Sequence, residues 1–267
     1  MSWVDVPGRG WRDFLSKASD LVEAVAIERP YLCRGQSNAA WSLTPSLLRC
    51  FRLRTTQRKL IEVERAALKT YKPEARAFVP GHVLPTDDSD ILSWWTIMQH
   101  YGAPTRLLDW TPSPYVAAYF AVTGHYGKDG AIWFVNNRVL NEAMGNTEEK
   151  DRFADAGPLD EYFLRVGNSS KLHTLKQETP TDRMIAQSGL FTVSERVTDD
   201  HAKVIDGALS ESGKSDLLYG RLIIRAKDKS EFLLHLHAMG VKASTLFPGI
   251  DGVGRSVKEI VELHRTF

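Results

Sequence analysis

The sequence predicts an α+β fold in which several helices pack with small mixed β-sheets. Short apolar runs of strand character, Tyr31-Leu32-Cys33, Thr105 to Trp110 and Ala131 to Val135, are separated by helical patterns of unequal length. That spacing does not suit the regular crossovers of a doubly wound sheet. There is no internal repeat and no low-complexity tract. At 267 residues, 43% of them hydrophobic and 25% charged, the chain is long enough to bury one large core.

In chain order, Trp11, Phe14, Leu15, Ala18, Leu21, Val22 and Val25 recur at helical spacing up to Glu28, and Pro30 stops the pattern. Residues 1–28 therefore read as an amphipathic helix packed on a core formed by 29–267. The strand Tyr31 to Cys33 runs into Arg34-Gly35, where glycine permits close backbone approach or an unusual turn. A long helix is expected from about Gln57 to Tyr71. Residues 79–90 carry two prolines, a glycine and three aspartates and read as a loop, followed by a helix from Ile91 to Tyr101. After the Thr105 to Trp110 strand, Thr111-Pro112-Ser113-Pro114 begins a helix with a hydroxyl cap available. Residues 141–181 are polar and weakly periodic, so a peripheral insertion is expected there. Met184 to Val193 and Arg221 to Ile224 read as strands, and helices from Lys229 to Met239 and from about Val257 to His264 close the chain.

A net charge of +1 creates no global field toward nucleic acid or membrane. Cys33 and Cys50 fit neither a disulfide framework nor metal-ligand spacing, which suggests a reducing compartment and no structural zinc. With no secretory leader and no run of about 20 apolar residues, the expectation is a cytoplasmic chain without a membrane partner. Gly213-Lys214-Ser215 departs from a phosphate loop, because the upstream Gly207 lies one residue too early. The glycine-rich stretch 249–254 lacks dinucleotide order and reads as a loop, and His235 and His237 are too close along one helix to share a metal.

Arg34 beside Gly35 offers a fixed guanidinium for phosphate together with a bare backbone for a flat amide, a combination that suits a nucleotide. Pairing of Arg34 with Asp109 as a structural bridge is the equal alternative. The tract from Arg49 to Arg76 holds nine Lys and Arg residues against Glu62, Glu64 and Glu74. It would either guide an RNA or DNA acceptor or form a solvated face.

Three segments, CRGQSNAAWSLTPSLLR from Cys33, QHYGAPTRLLDWTPSPYVAAYFA from Gln99 and LFPGIDG from Leu246, resemble the FRG domain in its family order. That family distantly resembles ADP-ribosyltransferases, so the resemblance implies a split sandwich of two sheets and NAD as a substrate, with no metal. It implies that Arg34 holds the NAD phosphates or nicotinamide ribose, that Gly35 meets the carboxamide and that Gln36 assists. Thr105, Thr111 and Ser113 would line the pocket, with Thr111 or Ser113 bracing Arg34. Tyr115 and Tyr119 are candidate stacking rings, or else core residues. Gln187 stands where the transferase pattern has a glutamate and cannot act as a base. Asp109 or a substrate group would then take that role, with His100 as a second candidate base or a core histidine. The implied role is a mono-ADP-ribosyltransferase-like effector, a bacterial toxin or antiphage component with a neutralising antitoxin protein. The alternatives are a non-catalytic nucleotide or nucleic-acid binding module and an NAD glycohydrolase.

Overall fold

The computed structural model describes residues 4–23, 31–51, 55–146, 153, 158–167, 169–176, 182–211 and 219–264. Its architecture is α+β, with two small sheets and several helices. In the first sheet, strand β1 (Val4–Pro7) lies parallel to β7 (Tyr219–Ile224), which pairs antiparallel with β4 (Gly130–Asn136), and β4 pairs antiparallel with β2 (Tyr31–Gln36). The second sheet is antiparallel, with β6 (Leu190–Ser194) between β3 (Leu108–Trp110) and β5 (Leu172–Leu175). All seven residues of β4 are buried, as its unbroken apolar run requires of a central strand covered on both faces.

One face of the first sheet, with Ile132, Phe134, Leu222 and Ile224, packs against helices α1 (Trp11–Glu23), α5 (Pro114–Val122) and α10 (Lys229–Ala238). The opposite face, with Leu32, Trp133 and Val135, meets Leu108, Trp110 and Leu172 of the second sheet and Ile205 and Leu209 of α9 (His201–Glu211). A third core joins Phe191 and Val193 of β6 to α3 (Gln57–Phe78) and α4 (Ile91–His100). Helix α5 rides on glycine and alanine. A Cβ on Gly35 would lie 1.8 Å from the carbonyl oxygen of Ala117, and one on Gly130 would lie 2.2 Å from that of Ala121. Ser113 caps α5 by accepting from Val116 N–H, as the sequence suggested.

Several expectations are corrected. The helix from Gln57 continues through Pro73 to Phe78, because Ala75 and Val79 bury their side chains in the third core and outweigh one missing backbone hydrogen bond. Thr105 to Leu107 is not strand, since Thr105 spends its backbone on α2 (Ser46–Arg49): its N–H donates to Ser46 Oγ and its carbonyl accepts from Leu47 N–H. The strand expected from Met184 begins at Leu190, and Asp182–Gln187 is helix α8. Ser188 takes a φ of 49° and Gly189 N–H bonds the Met184 carbonyl, which closes that helix as a left-handed cap.

The glycine-rich stretch expected to be a loop is the first turn of α12 (Ile250–His264). There Gly252 lets the helix approach α11 (Ala243–Leu246) and the residue after it: a Cβ would sit 1.8 Å from the Phe247 carbonyl oxygen. Strand β1 was not expected. Within 141–181 the described residues depart from a peripheral insertion, because Phe163 of α7 (Leu159–Phe163) is fully buried and β5 is a strand of the second sheet. The expected extension of α1 to Glu28 and the Gly213-Lys214-Ser215 stretch lie outside the described residues.

Arg106, 1% exposed, forms a two-pronged ion pair with Glu64, 3% exposed, donates to the Ser194 and Glu195 carbonyls, and lies 4.7 Å from the Trp95 ring centre. It therefore ties α3 to the end of β6 in the dry third core. Glu64→Gln leaves a buried guanidinium without its counter-charge and should cost about 3–5 kcal/mol in urea-induced unfolding. A loss below about 1 kcal/mol would show that the pair does not anchor this core.

Candidate functional site

Besides packing face to face, the two sheets are hydrogen-bonded to each other, among the described residues, at a single antiparallel rung. Cys33 N–H donates to the Thr111 carbonyl at 2.7 Å, and Thr111 N–H donates to the Cys33 carbonyl at 2.8 Å. In an antiparallel ladder the next hydrogen-bonded pair along this edge would join Gly35 to Asp109. That rung is not made, because β3 turns away to pair with β6 and Asp109 lies opposite Phe191. The Arg34 guanidinium takes its place, donating from Nη1 to the Asp109 carbonyl at 2.8 Å. The period-two alternation therefore leaves the N–H and C=O of Gly35 directed at the free edge of β2, beside Arg34.

The wedge between the diverging strands is a cavity of about 150 Å³ lined by Arg34, Gly35, Asp109, Thr111, Phe120 and Gln187, among others. An apolar cavity of about 150 Å³ holds one benzene-sized ring. The cavity thus combines a ring-sized volume with one peptide donor and one peptide acceptor that have no partner among the described residues.

The Arg34 side chain is 15% exposed and that of Asp109 is 57% exposed, with Nη1 to Oδ2 at 3.5 Å. Gln99 Nε2 also donates to Asp109 Oδ1 at 2.7 Å. Arg34 Nε is buried and has no hydrogen-bond partner among the described residues. Burial pushes the Arg34 guanidinium below its ordinary pKa; Asp109 pulls it back up, and Arg49 repels it further. Asp109 is the one carboxylate among the residues described as lining the cavity.

Of the residues singled out from the sequence, Arg34, Gly35, Asp109, Thr111 and Gln187 come together here. Gln187 ends helix α8 rather than occupying a strand, and its Nε2 donates to the Leu246 carbonyl at 3.0 Å. The others stand elsewhere. Gln36 is buried between Trp133 Nε1 and the Ser42 carbonyl, because side chains alternate along β2 and its own points to the opposite face from Gly35. Thr105 bonds Gln99 and Leu107 N–H inside the protein. Ser113 is used as the α5 cap, and Thr111 Oγ accepts from Ser113 N–H, so the Asp109 backbone rather than either hydroxyl braces Arg34.

Tyr115 packs edge-on against Phe14, and Tyr119 donates to Glu259 in the first core. The cavity is met instead by Val116 and Phe120, four apart on the adjacent face of α5. His100, the last residue of α4, stacks edge-on with Tyr101 and does not line the cavity. Burial lowers its imidazole pKa, with Arg183 adding to the effect. Sequence reasoning missed Phe120 and Arg183. Helical phase relative to Val116 was the available signal for the first, and the mistaken strand at Met184 hid the second.

The basic tract is partly consumed by structure. Arg65 donates to the Leu164 carbonyl, and Lys72 and Arg76 converge on Asp88 and on the Trp94 ring. A larger groove of about 860 Å³ lies near α9, lined by Lys171, Asp199, Asp200 and Lys203 among others. Both charge signs are mixed there and none of the motif residues faces it, so volume alone does not make it the site.

Residues 29–129 match the family model of the FRG domain. The match covers Arg34, Gly35 and Asp109 and ends before Arg183 and Gln187. No curated protein and no solved structure matches the chain. Among the described residues no helix is long and apolar enough to cross a membrane.

Because Asp109 keeps water and Gln99 around its carboxylate, Arg34→Ala strands no buried charge. Its cost in unfolding free energy should be about 1–2 kcal/mol, from one hydrogen bond and lost packing. A loss of 4 kcal/mol or more, on the scale expected from a broken buried pair, would make Arg34 a structural residue first.

Proposed function

Because residues 29–129 carry an FRG domain, we propose that this chain is an NAD-dependent mono-ADP-ribosyltransferase-like enzyme whose nicotinamide site is the wedge between β2 and β3. The observation that carries the reading is the free peptide edge of Gly35 inside a ring-sized cavity. A carboxamide presents one donor and one acceptor in one plane, which is what an unpaired strand residue offers in return. Phe120 and Val116 supply an apolar wall for the ring, and Arg34 supplies the charge for the adjoining phosphate or ribose.

On this reading the bond between nicotinamide and ribose breaks, and its electron pair leaves with neutral nicotinamide. The acceptor's nucleophile then attacks the ribose carbon and gives up a proton. An oxocarbenium-like state develops between these steps, and the Asp109 carboxylate is the lining group able to stabilise it or take the proton. Water as the acceptor would make the same site an NAD glycohydrolase. The role as a bacterial toxin or antiphage effector, held by a neutralising protein, rests on the family resemblance alone. The exposed part of the basic tract would guide an RNA or DNA acceptor.

A second reading, a non-catalytic nucleotide-binding module, is favoured by the engagement of Gln187 with the Leu246 carbonyl and by the absence of a glutamate among the described lining residues. Incubation with labelled NAD and separate RNA, DNA and protein acceptors separates the readings. The enzyme reading expects released nicotinamide, with Arg34→Ala and Arg34→Lys each slowed at least roughly thirtyfold, the equivalent of about 2 kcal/mol. Saturable NAD binding without product would select the module. No NAD binding at millimolar concentration would remove both.

A further inference from the structure

A ring fills the inner cavity, so the remainder of a dinucleotide must leave through its mouth. The mouth opens onto a second basin of about 410 Å³, and Arg34, Asp109 and Arg183 line both volumes. The basin adds Ser46, Arg49 and Gln99 to these three. We propose that this basin is a diphosphate subsite in which Arg49 and Arg183 are the phosphate ligands and Phe247 positions Arg183. The proposal deepens the NAD reading, since the diphosphate is that of the same dinucleotide.

The charge balance of the basin points to an anion. Three guanidiniums line it against the single carboxylate of Asp109, which is already shared by Arg34 and Gln99. Neither Arg49 nor Arg183 makes a side-chain hydrogen bond or ion pair among the described residues. Like charges confined in a cleft repel one another and concentrate a counter-ion. Planar guanidiniums match the paired oxygens of a phosphate, and two of them suit two linked phosphates better than one. Burial also lowers the Arg183 pKa, with Arg255 adding repulsion against the pull of Asp109.

Phe247, in the LFPGIDG segment, explains how a cation without a carboxylate partner is held in place. Its ring centre lies 4.7 Å from the Arg183 guanidinium carbon and 4.4 Å from that of Arg255, so the ring interacts with both cations at once. The neighbouring Leu246 carbonyl fixes Gln187 at the other end of α8. The C-terminal motif thereby orients the one helix that carries Arg183 into the basin.

Calorimetric titration of inorganic pyrophosphate into the full chain tests this directly, with nicotinamide titrated as the control for the inner cavity. Arg49→Gln and Arg183→Gln should each weaken pyrophosphate binding tenfold or more, and Phe247→Leu severalfold, with nicotinamide affinity unchanged within twofold in Arg49→Gln, which lines the basin and not the inner cavity. Arg49 is exposed, so Arg49→Gln reads the subsite even if Arg183→Gln fails to fold. Unchanged pyrophosphate affinity in Arg49→Gln, no saturable binding to the wild type, or orthophosphate binding as tightly as pyrophosphate would overturn the diphosphate subsite. Pyrophosphate bound through Arg49 and Arg183 without any NAD binding would keep the subsite and sink the NAD reading. NAD turnover with unchanged KM in both arginine variants would do the reverse.

Discussion

The paired hydrogen bonds between Cys33 and Thr111 join an edge strand of one sheet to the end of an edge strand of the other, and the ladder goes no further toward Gly35. Everything at the candidate site follows from that interruption. One step beyond it the strands diverge, Arg34 caps the Asp109 carbonyl that a continuing ladder would have paired, and the edge of Gly35 stays open. Pro112 follows directly and cannot donate, and Ser113 begins α5, so the chain after Thr111 is committed to a helix. That helix then fills the back of the wedge with Val116 and Phe120. Gly35 serves twice, since its missing Cβ admits α5 on one side and its backbone faces the cavity on the other.

The parts of the chain outside the FRG match complete this arrangement rather than decorate it. Lys229, fully buried at the start of α10, donates to the Ser37, Gly124 and His125 carbonyls, which clamps the turn after β2 to the turn after α5. Glu259 of α12 accepts from Tyr119 and meets His237 Nε2 at 2.9 Å, so the last helix is fastened to α5 and α10 by a buried carboxylate with its partners in place. At the far end of β6, burial alone would raise the Glu195 carboxyl, but hydrogen bonds from His173, Tyr162 and Ser169 outweigh it and hold the pKa at about 2. The first two clusters fasten α5, α10 and α12 to the first sheet, and the third fastens β5 and α7 to the end of β6.

Much of this was legible in the sequence because some signals are local. The apolar run of β4, the Ser113 cap and the loop before α4 each depend on a few adjacent residues whose chemistry allows little else. The meeting of Arg34 with Asp109 could be read because both lie in the two most distinctive segments, although each sits within its strand rather than at its end. The failures have a common cause in signals that become readable only with tertiary context. Ser188-Gly189 closes a helix, but apolar residues on both sides let it pass as strand interior. Gly252 suggested a loop until the close approach of Phe247 gave a reason for glycine inside a helix. Gln187 was assigned to that same strand, which also hid Arg183 just before it, and the consequence ran through to the chemistry: a basin lined by arginines was missed while a missing glutamate drew attention.

The central claim is that the open edge at Gly35 is where a nicotinamide nucleotide binds, and amide hydrogen exchange with and without saturating NAD tests it most directly. The account predicts that added protection concentrates at Gly35, at 109–111 and across 183–189, the backbone that surrounds the wedge. Protection that leaves Gly35 unchanged and appears instead at Lys171, Asp199 and Lys203, around the larger groove beside α9, would contradict it.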